Sequence, residues 1–238
     1  MITKKIISFI FLFTLHTLSF SQESKEKQLM AEIQVLDPDA IGDKEIKKIN
    51  GIIAECKKMD YKDCLAFSYA VMANIYFRDN DKIKALAYIN KIDDEKLIYS
   101  GTSSNILYYV KNTQSTIYQD AGKYMAALKK LDEMPQDIKD NPCINYRVQL
   151  KKGTVHDETK NAKEAFISFK EAYRLSKVCR SHPDYFPPNQ RNRISETYAA
   201  TPYLATAFLQ INKLDSAKIY ISEALKDIEV LRKTGSFN

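Results

Sequence analysis

Tyr69-Ala70-Val71-Met72-Ala73-Asn74-Ile75-Tyr76, followed by the polar turn Asp79-Asn80-Asp81 and then by Ala85, Ile89 and Ile92, is the stretch that decides the fold. Tyr69, Met72, Ala73 and Tyr76 step by three and four, the spacing that gathers side chains on one face of a helix. The polar turn interrupts that helix, and Ala85, Ile89 and Ile92 lay down a second face with the same steps. The stretch therefore predicts two helices joined by a tight turn. Ala85 is small because two helices cross closely there, and the bulkier isoleucines fill the groove beside it.

The pattern recurs three times along the chain. Tyr118 precedes the turn at Ala121, Gly122, Lys123 and Tyr124, then Ala127, Leu131 and Met134. Gly153 and His156 precede Lys160 and Asn161, then Ala165, Phe169 and Ala172. Leu204, Ala205 and Phe208 precede Asn212, Lys213 and Leu214, then Ala217, Ile221 and Ala224. The aromatic residue or His and the opening Ala are nine apart each time: 76 to 85, 118 to 127, 156 to 165, 208 to 217. This resembles the tetratricopeptide repeat, a helix-turn-helix unit with a Leu-Gly-like pair, a Tyr, and then an Ala opening the second helix. The resemblance covers about residues 62–228.

The resemblance implies an all-α chain, an α-solenoid of antiparallel helix pairs (a tetratricopeptide-like superhelix) with about four irregular repeats. The departures from the family pattern are specific. No repeat carries the usual closing Pro, and Gln114 and Lys152 stand in slots that are normally apolar. The opening alanines are separated by 42, 38 and 52 residues, against about 34 in the standard repeat. Long helices or insertions between repeats must absorb the excess. A connector is expected at residues 92–101, one at 135–142, and the longest at 180–190, where Pro183, Pro187 and Pro188 forbid a continuing helix. Pro202 falls inside the expected first helix of the fourth repeat and predicts a kink, with the Tyr198 carbonyl freed. Upstream, Ile46, Ile49, Ile52 and Ile53 after Gly42-Asp43 predict an N-terminal capping helix over 43–57, and 23–35 reads as another short helix.

The first residues set the expected compartment. Lys4 and Lys5 precede an apolar run over 6–15, and Ser19-Phe20-Ser21 places small residues where a signal peptidase reads. The run is about half of the roughly 20 residues a bilayer span needs. This is the layout of a signal peptide, with no Cys at the cut for a lipoprotein anchor, and it predicts a periplasmic or secreted protein. The expected organisation is signal peptide 1–21, N-terminal segment 22–41, helical-repeat domain 42–232 and tail 233–238. Cleavage removes two Lys and no acid, lowering the net charge from +6 to +4. That is too mild to indicate nucleic acid. Six Gly and seven Pro in 238 residues argue for helices over a turn-rich β fold.

Catalytic motifs are missing from the sequence: no Gly-rich phosphate loop, no paired-His metal motif, no Gly-x-Ser-x-Gly elbow. No catalytic residue, metal site or cofactor is expected. His156 takes the slot of Tyr76, Tyr118 and Phe208 and reads as a packing residue, while His182 beside Pro183 reads as exposed loop. Cys56 and Cys64 lie four residues either side of Asp60, and Cys143 and Cys179 are centred on residue 161. Residues equidistant from a hairpin turn sit at equal height on its two helices. Each pair is therefore either a disulfide or two buried thiols acting as small core residues.

What remains is surface recognition. In tetratricopeptide arrays the first helix of each repeat lines the concave face. Projected onto this chain, that face carries Asn74 and Arg78, then Tyr109, Asn112 and Thr116, then Arg147, Lys151 and Thr154, then Tyr203 and Gln210. Amides and cations there suit the backbone and carboxylate of an extended peptide. Asn74 has the type that family members use to hold a peptide carboxyl terminus, but the Lys expected one turn earlier is Ala70, so the complete carboxylate clamp is missing. The expected function is an exported scaffold for a protein or peptide partner. The alternative is a sensory repeat region like those of exported one-component regulators and sensor kinases. Those continue into a membrane helix and an effector module, whereas this sequence runs to Asn238 without either.

Overall fold

A computed structural model of the chain describes residues 24–33, 42–182 and 196–233. The expected signal segment, most of the Pro-rich connector and residues 234–238 of the tail lie outside them. The described residues are helical, without a strand. In chain order the helices are α1 (24–33), α2 (Asp43–Lys58), α3 (Lys62–Arg78), α4 (Lys82–Asp94), α5 (Ser104–Asp120), α6 (Tyr124–Asp132), α7 (Gln136–Asp140), α8 (Pro142–Glu158), α9 (Ala162–Ser181), α10 (Ala200–Gln210) and α11 (Leu214–Lys233). Two compact units divide within α5, Met1–Thr113 and Gln114–Asn238.

The nine-residue spacing has a backbone cause. After each first helix, one residue takes the left-handed conformation: Asn80 at φ 60°, Gly122 at 71°, Lys160 at 60°, Asn212 at 57°. The following amide then turns back onto the carbonyl five residues earlier, as in a Schellman motif. Asp81 donates to Tyr76, Lys123 to Tyr118, Asn161 to His156 and Lys213 to Phe208, at 2.7–2.9 Å. The same residues accept the first bond of the second helix, from Ala85, Ala127, Ala165 and Ala217, each at 3.0 Å. Five residues across the turn and four up the next helix make nine. Asp81 and Asn161 also cap through their side chains, accepting from the Lys84 and Glu164 amides.

A fifth copy of this joint links α2 to α3, and the sequence pattern passed over it. Tyr61 donates to Cys56 at 2.9 Å and accepts from Leu65 at 3.1 Å, with Asp60 at φ 51°. Cys56 and Leu65 stand where an aromatic and an Ala were expected, so the backbone device is present without its side-chain signature.

These turns carry a testable cost. A Cβ on Gly122 would meet nothing within 4 Å, so Gly122→Ala tests conformational strain alone and should lose about 1 kcal/mol. Lys160 adopts the same conformation with a side chain. Lys160→Gly should gain about 0.5 kcal/mol, left-handed strain relief outweighing the flexibility of the unfolded glycine. Urea denaturation of the two variants checks both signs.

In the first unit the core joins Leu29 and Ile33 of α1 to Ile49 and Ile52 of α2 and to Tyr69 and Met72 of α3. Helix α3 is buried on most of its circumference, against both α2 and α4. Tyr76 and Tyr88 stack across α3 and α4 at 5.6 Å between centroids. In the second unit α8 packs along α9, and α10 against both α9 and α11. Phe169 is buried against Gly153, so close that a Cβ added there would sit 2.4 Å from its ring. Tyr173 donates to Glu223, and Thr201 to Asp227 at 2.8 Å, fastening α11 to α9 and α10.

Three local expectations need correction. The 135–142 connector contains a short helix, and Pro142 starts α8 instead of merely separating helices. Asn141 caps it, accepting from Cys143 at 2.9 Å and Ile144 at 3.2 Å, and Pro at the first helical position has no amide to lose. Pro202 lies in the first turn of α10, after a 3₁₀ turn over 196–199, and so interrupts no helix interior. Ile89, Leu131 and Phe169 are buried as their slot requires, but Ile221 is 43 % exposed. Among the described residues no later helix follows α11 to cover it.

Both cysteine pairs are bonded. Cys56–Cys64 straddles the α2–α3 joint with Cα atoms 5.9 Å apart, and Cys143–Cys179 closes the open end of the α8–α9 hairpin at 5.2 Å.

Candidate functional site

The residues projected onto the first-helix face divide between the two units. In the first, α3 and α5 come together through Asn74. Its Nδ2 donates to the Tyr109 hydroxyl at 2.9 Å and to Thr113 Oγ1 at 3.2 Å. Tyr109 also packs on Phe67, ring centroids 4.6 Å apart. Burial pushes the Tyr109 phenol up, partly offset by the bond from Asn74. The amide therefore ties helices together and is not held open for a peptide. Asn112 is half-buried on α5, and Arg78 is exposed in the last turn of α3.

In the second unit the face is again built of polar cross-links. Lys151 Nζ donates to Thr116 Oγ1. Gln119 donates to Glu158 at 2.7 Å and to Thr154 at 3.5 Å. Thr154 donates in turn to the Lys151 carbonyl at 2.8 Å. Arg147, one turn before Lys151, pairs with Glu196 of the 3₁₀ turn at 3.1 Å. Gln210 donates to Asp157, and Tyr203 stacks against Phe169 at 5.2 Å. Asn74, Tyr109, Thr116, Arg147, Lys151, Thr154 and Gln210 thus engage other protein side chains.

The partners that the sequence reading missed are Thr113, Gln119, Asp157, Glu158 and Glu196. A signal for most of them existed. The cross-links join residues 35 apart (74 with 109, 116 with 151, 119 with 154) or 39 apart (74 with 113, 119 with 158). A search for complementary polar pairs at those two separations, one helical turn different, finds the ladder.

Lys151 is the residue that stands out electrostatically. Burial lowers its pKa to about 8, with no carboxylate contributing. Its partner is a neutral hydroxyl. At pH 7 the folded protein therefore holds a desolvated ammonium that the unfolded chain would leave in water. The folded pKa lies below the unfolded one, so the penalty is complete below pH 8 and is relieved as pH rises toward 10.5. Lys151→Met is accordingly expected to stabilise the protein at pH 7, by about 2 kcal/mol after the lost Thr116 bond. The gain should shrink between about pH 8 and 9.5, as read by urea midpoints across that range.

The rest of the surface offers less. His156 is half-buried, its pKa lowered chiefly by burial, and lines a 600 Å³ cleft with Lys152 and Asp132. His182 is exposed at the end of α9. Among the described residues no group of three or more His, Cys, Asp or Glu is placed to hold a metal ion. No described helix is long and apolar enough to cross a membrane. No family model and no curated protein matches this chain in sequence.

Proposed function

We propose that the chain is an exported, tetratricopeptide-like binding scaffold, and that the second unit takes a carboxylate of a peptide partner beside Lys151. The observation that carries this reading is the half-buried, desolvated Lys151 ammonium donating to the Thr116 hydroxyl, with no carboxylate contributing to its pKa. Strongly perturbed, desolvated groups concentrate at functional sites. An incoming carboxylate would convert the Lys151 penalty into a charge-assisted hydrogen bond. Thr116 and Thr154 flank it with hydroxyls, and Arg147 adds a second cation one turn away. The nine-residue joints, with a small residue opening each second helix, support the repeat assignment.

The test is a fluorescence-anisotropy screen of peptides with free or amidated carboxyl termini and with or without acidic side chains. Binding is expected for carboxylate-bearing peptides and should weaken at least about tenfold, some 1.4 kcal/mol, in Lys151→Met. Equal affinity for fully amidated, acid-free peptides, or unchanged affinity in Lys151→Met, would remove the site from consideration.

A further inference from the structure

Helix α11 presents two different faces. Tyr220, Glu223 and Asp227 point inward: Tyr220 stacks on Phe208, Glu223 accepts from Tyr173, and Asp227 accepts from Thr201. About a third of a turn away, Leu214, Ile221, Leu225 and Ile228 step by seven, four and three along a single stripe. Their exposures are 60, 43, 59 and 37 %. Scattered exposed aliphatics are ordinary, but four in register on one helix form a contiguous apolar stripe of the kind that marks an interaction surface.

The charges beside the stripe indicate what covers it. Asp215 and Lys218 flank its N-terminal half, Glu229 and Arg232 its C-terminal half, and all four are exposed, with Lys226 and Lys233 exposed further round the same flank. Among these four the signs run minus, plus, minus, plus along the helix. Read backwards they run plus, minus, plus, minus, so the face is complementary to itself when inverted. A two-fold axis between residues 223 and 224 sets Asp215 of one copy against Arg232 of the other, and Lys218 against Glu229, each pair occurring twice. In that register Ile221, Leu225 and Ile228 of one helix interleave with those of the other, as knobs do in a coiled-coil seam. A parallel pairing would instead turn this flank toward the partner's other flank and leave these four charges without those partners.

We infer that α11 is a self-association surface that pairs antiparallel with α11 of a second copy of this chain. The contact is isologous and closes at a dimer. Its length, about 30 Å for a 20-residue helix, and its single stripe suit a reversible dimer more than an obligate one.

Sedimentation equilibrium of the purified protein from about 5 to about 200 µM should give a monomer–dimer equilibrium within that range. Leu225→Glu places a carboxylate in the seam and should weaken the dimer by more than about tenfold. Its fold is checked by circular dichroism, and the exposed charge variants give an independent reading. Lys218→Glu alone and Glu229→Lys alone should each weaken association by roughly three- to tenfold, and the double exchange should restore it. A monomer throughout the range overturns the inference and leaves the stripe to a different protein. A dimer indifferent to Leu225→Glu, or one that the double exchange fails to restore, overturns the helix or the antiparallel register respectively.

Discussion

Replacing Cys143 and Cys179 together by alanine is expected to lower the unfolding free energy by about 4 kcal/mol. The bond joins residues 36 apart in sequence, so its removal frees a long loop in the unfolded chain. Both cysteines are fully buried, and alanine avoids introducing a buried hydroxyl. The bond also sits at the end of the α8–α9 hairpin opposite the turn at Lys160. Cys56–Cys64 spans eight residues beside a joint that the backbone already closes, and its loss should cost nearer 2.5 kcal/mol. Urea titrations of the two double-alanine variants, with the parent in the presence and absence of reductant, measure both. An equal loss from the two would show that loop length does not govern their contributions.

The second large effect is at Phe169. Truncation to alanine should cost about 3–5 kcal/mol, since the ring is buried and the neighbouring helices cannot fully close the cavity. The more discriminating measurement couples it to Gly153. Gly153→Ala alone gains helix propensity, about 1 kcal/mol, but drives a methyl into the Phe169 ring. Overpacking of that kind costs about 1–3 kcal/mol, so a net loss is expected. In the Gly153→Ala, Phe169→Ala double variant the clash disappears and only the propensity gain remains. The two effects should therefore fall short of additivity by at least about 1 kcal/mol in a double-mutant cycle. Strict additivity would mean that the ring and the α8 backbone do not share that space.

Much of the fold was legible because the recurring element is a local one. The spacing from Tyr76 to Ala85 is set by two hydrogen bonds within ten residues, so it survives whatever else the chain does. The same locality explains the near-equal legibility of Asp43–Lys58, whose Ile49 and Ile52 are buried as their spacing implies. Where side chains and backbone part company, reading fails. The α2–α3 joint was hidden by Cys56 and Leu65, and Ile221 was placed inside because its slot is apolar, although the slot's spacing does not show what packs on that face of α11. Pro202 was placed in a helix interior because the sequence does not show that α10 begins only two residues earlier.

The candidate site was legible by residue and not by role. Eight of the ten projected positions carry an amide, hydroxyl or cationic side chain, and the other two are Tyr109 and Tyr203; what the projection missed is that the neighbouring first helix supplies most of the partners. Asn74 and Thr116 were assigned to a ligand while bonding to Tyr109 and Lys151. Lys151 became distinctive only once burial was known, since nothing in its flanking residues separates it from Lys152.

The five-plus-four joint also governs where the chain tolerates changes in length. One residue added between Tyr76 and Ala85 would rotate α4 by about 100° relative to α3 and carry Ile89 and Ile92 off their shared face. The links from α4 to α5, from α6 through α7 to α8, and from α9 to α10 obey no such count, and the 42, 38 and 52 residue intervals differ in those links and in helix length, α4, α6 and α9 having 13, 9 and 20 residues. Insertions and deletions are therefore excluded from the joints alone, which makes each turn a hinge of fixed length, while the far ends of the helices and the seams between hairpins are where new surface can be added without refolding the turn.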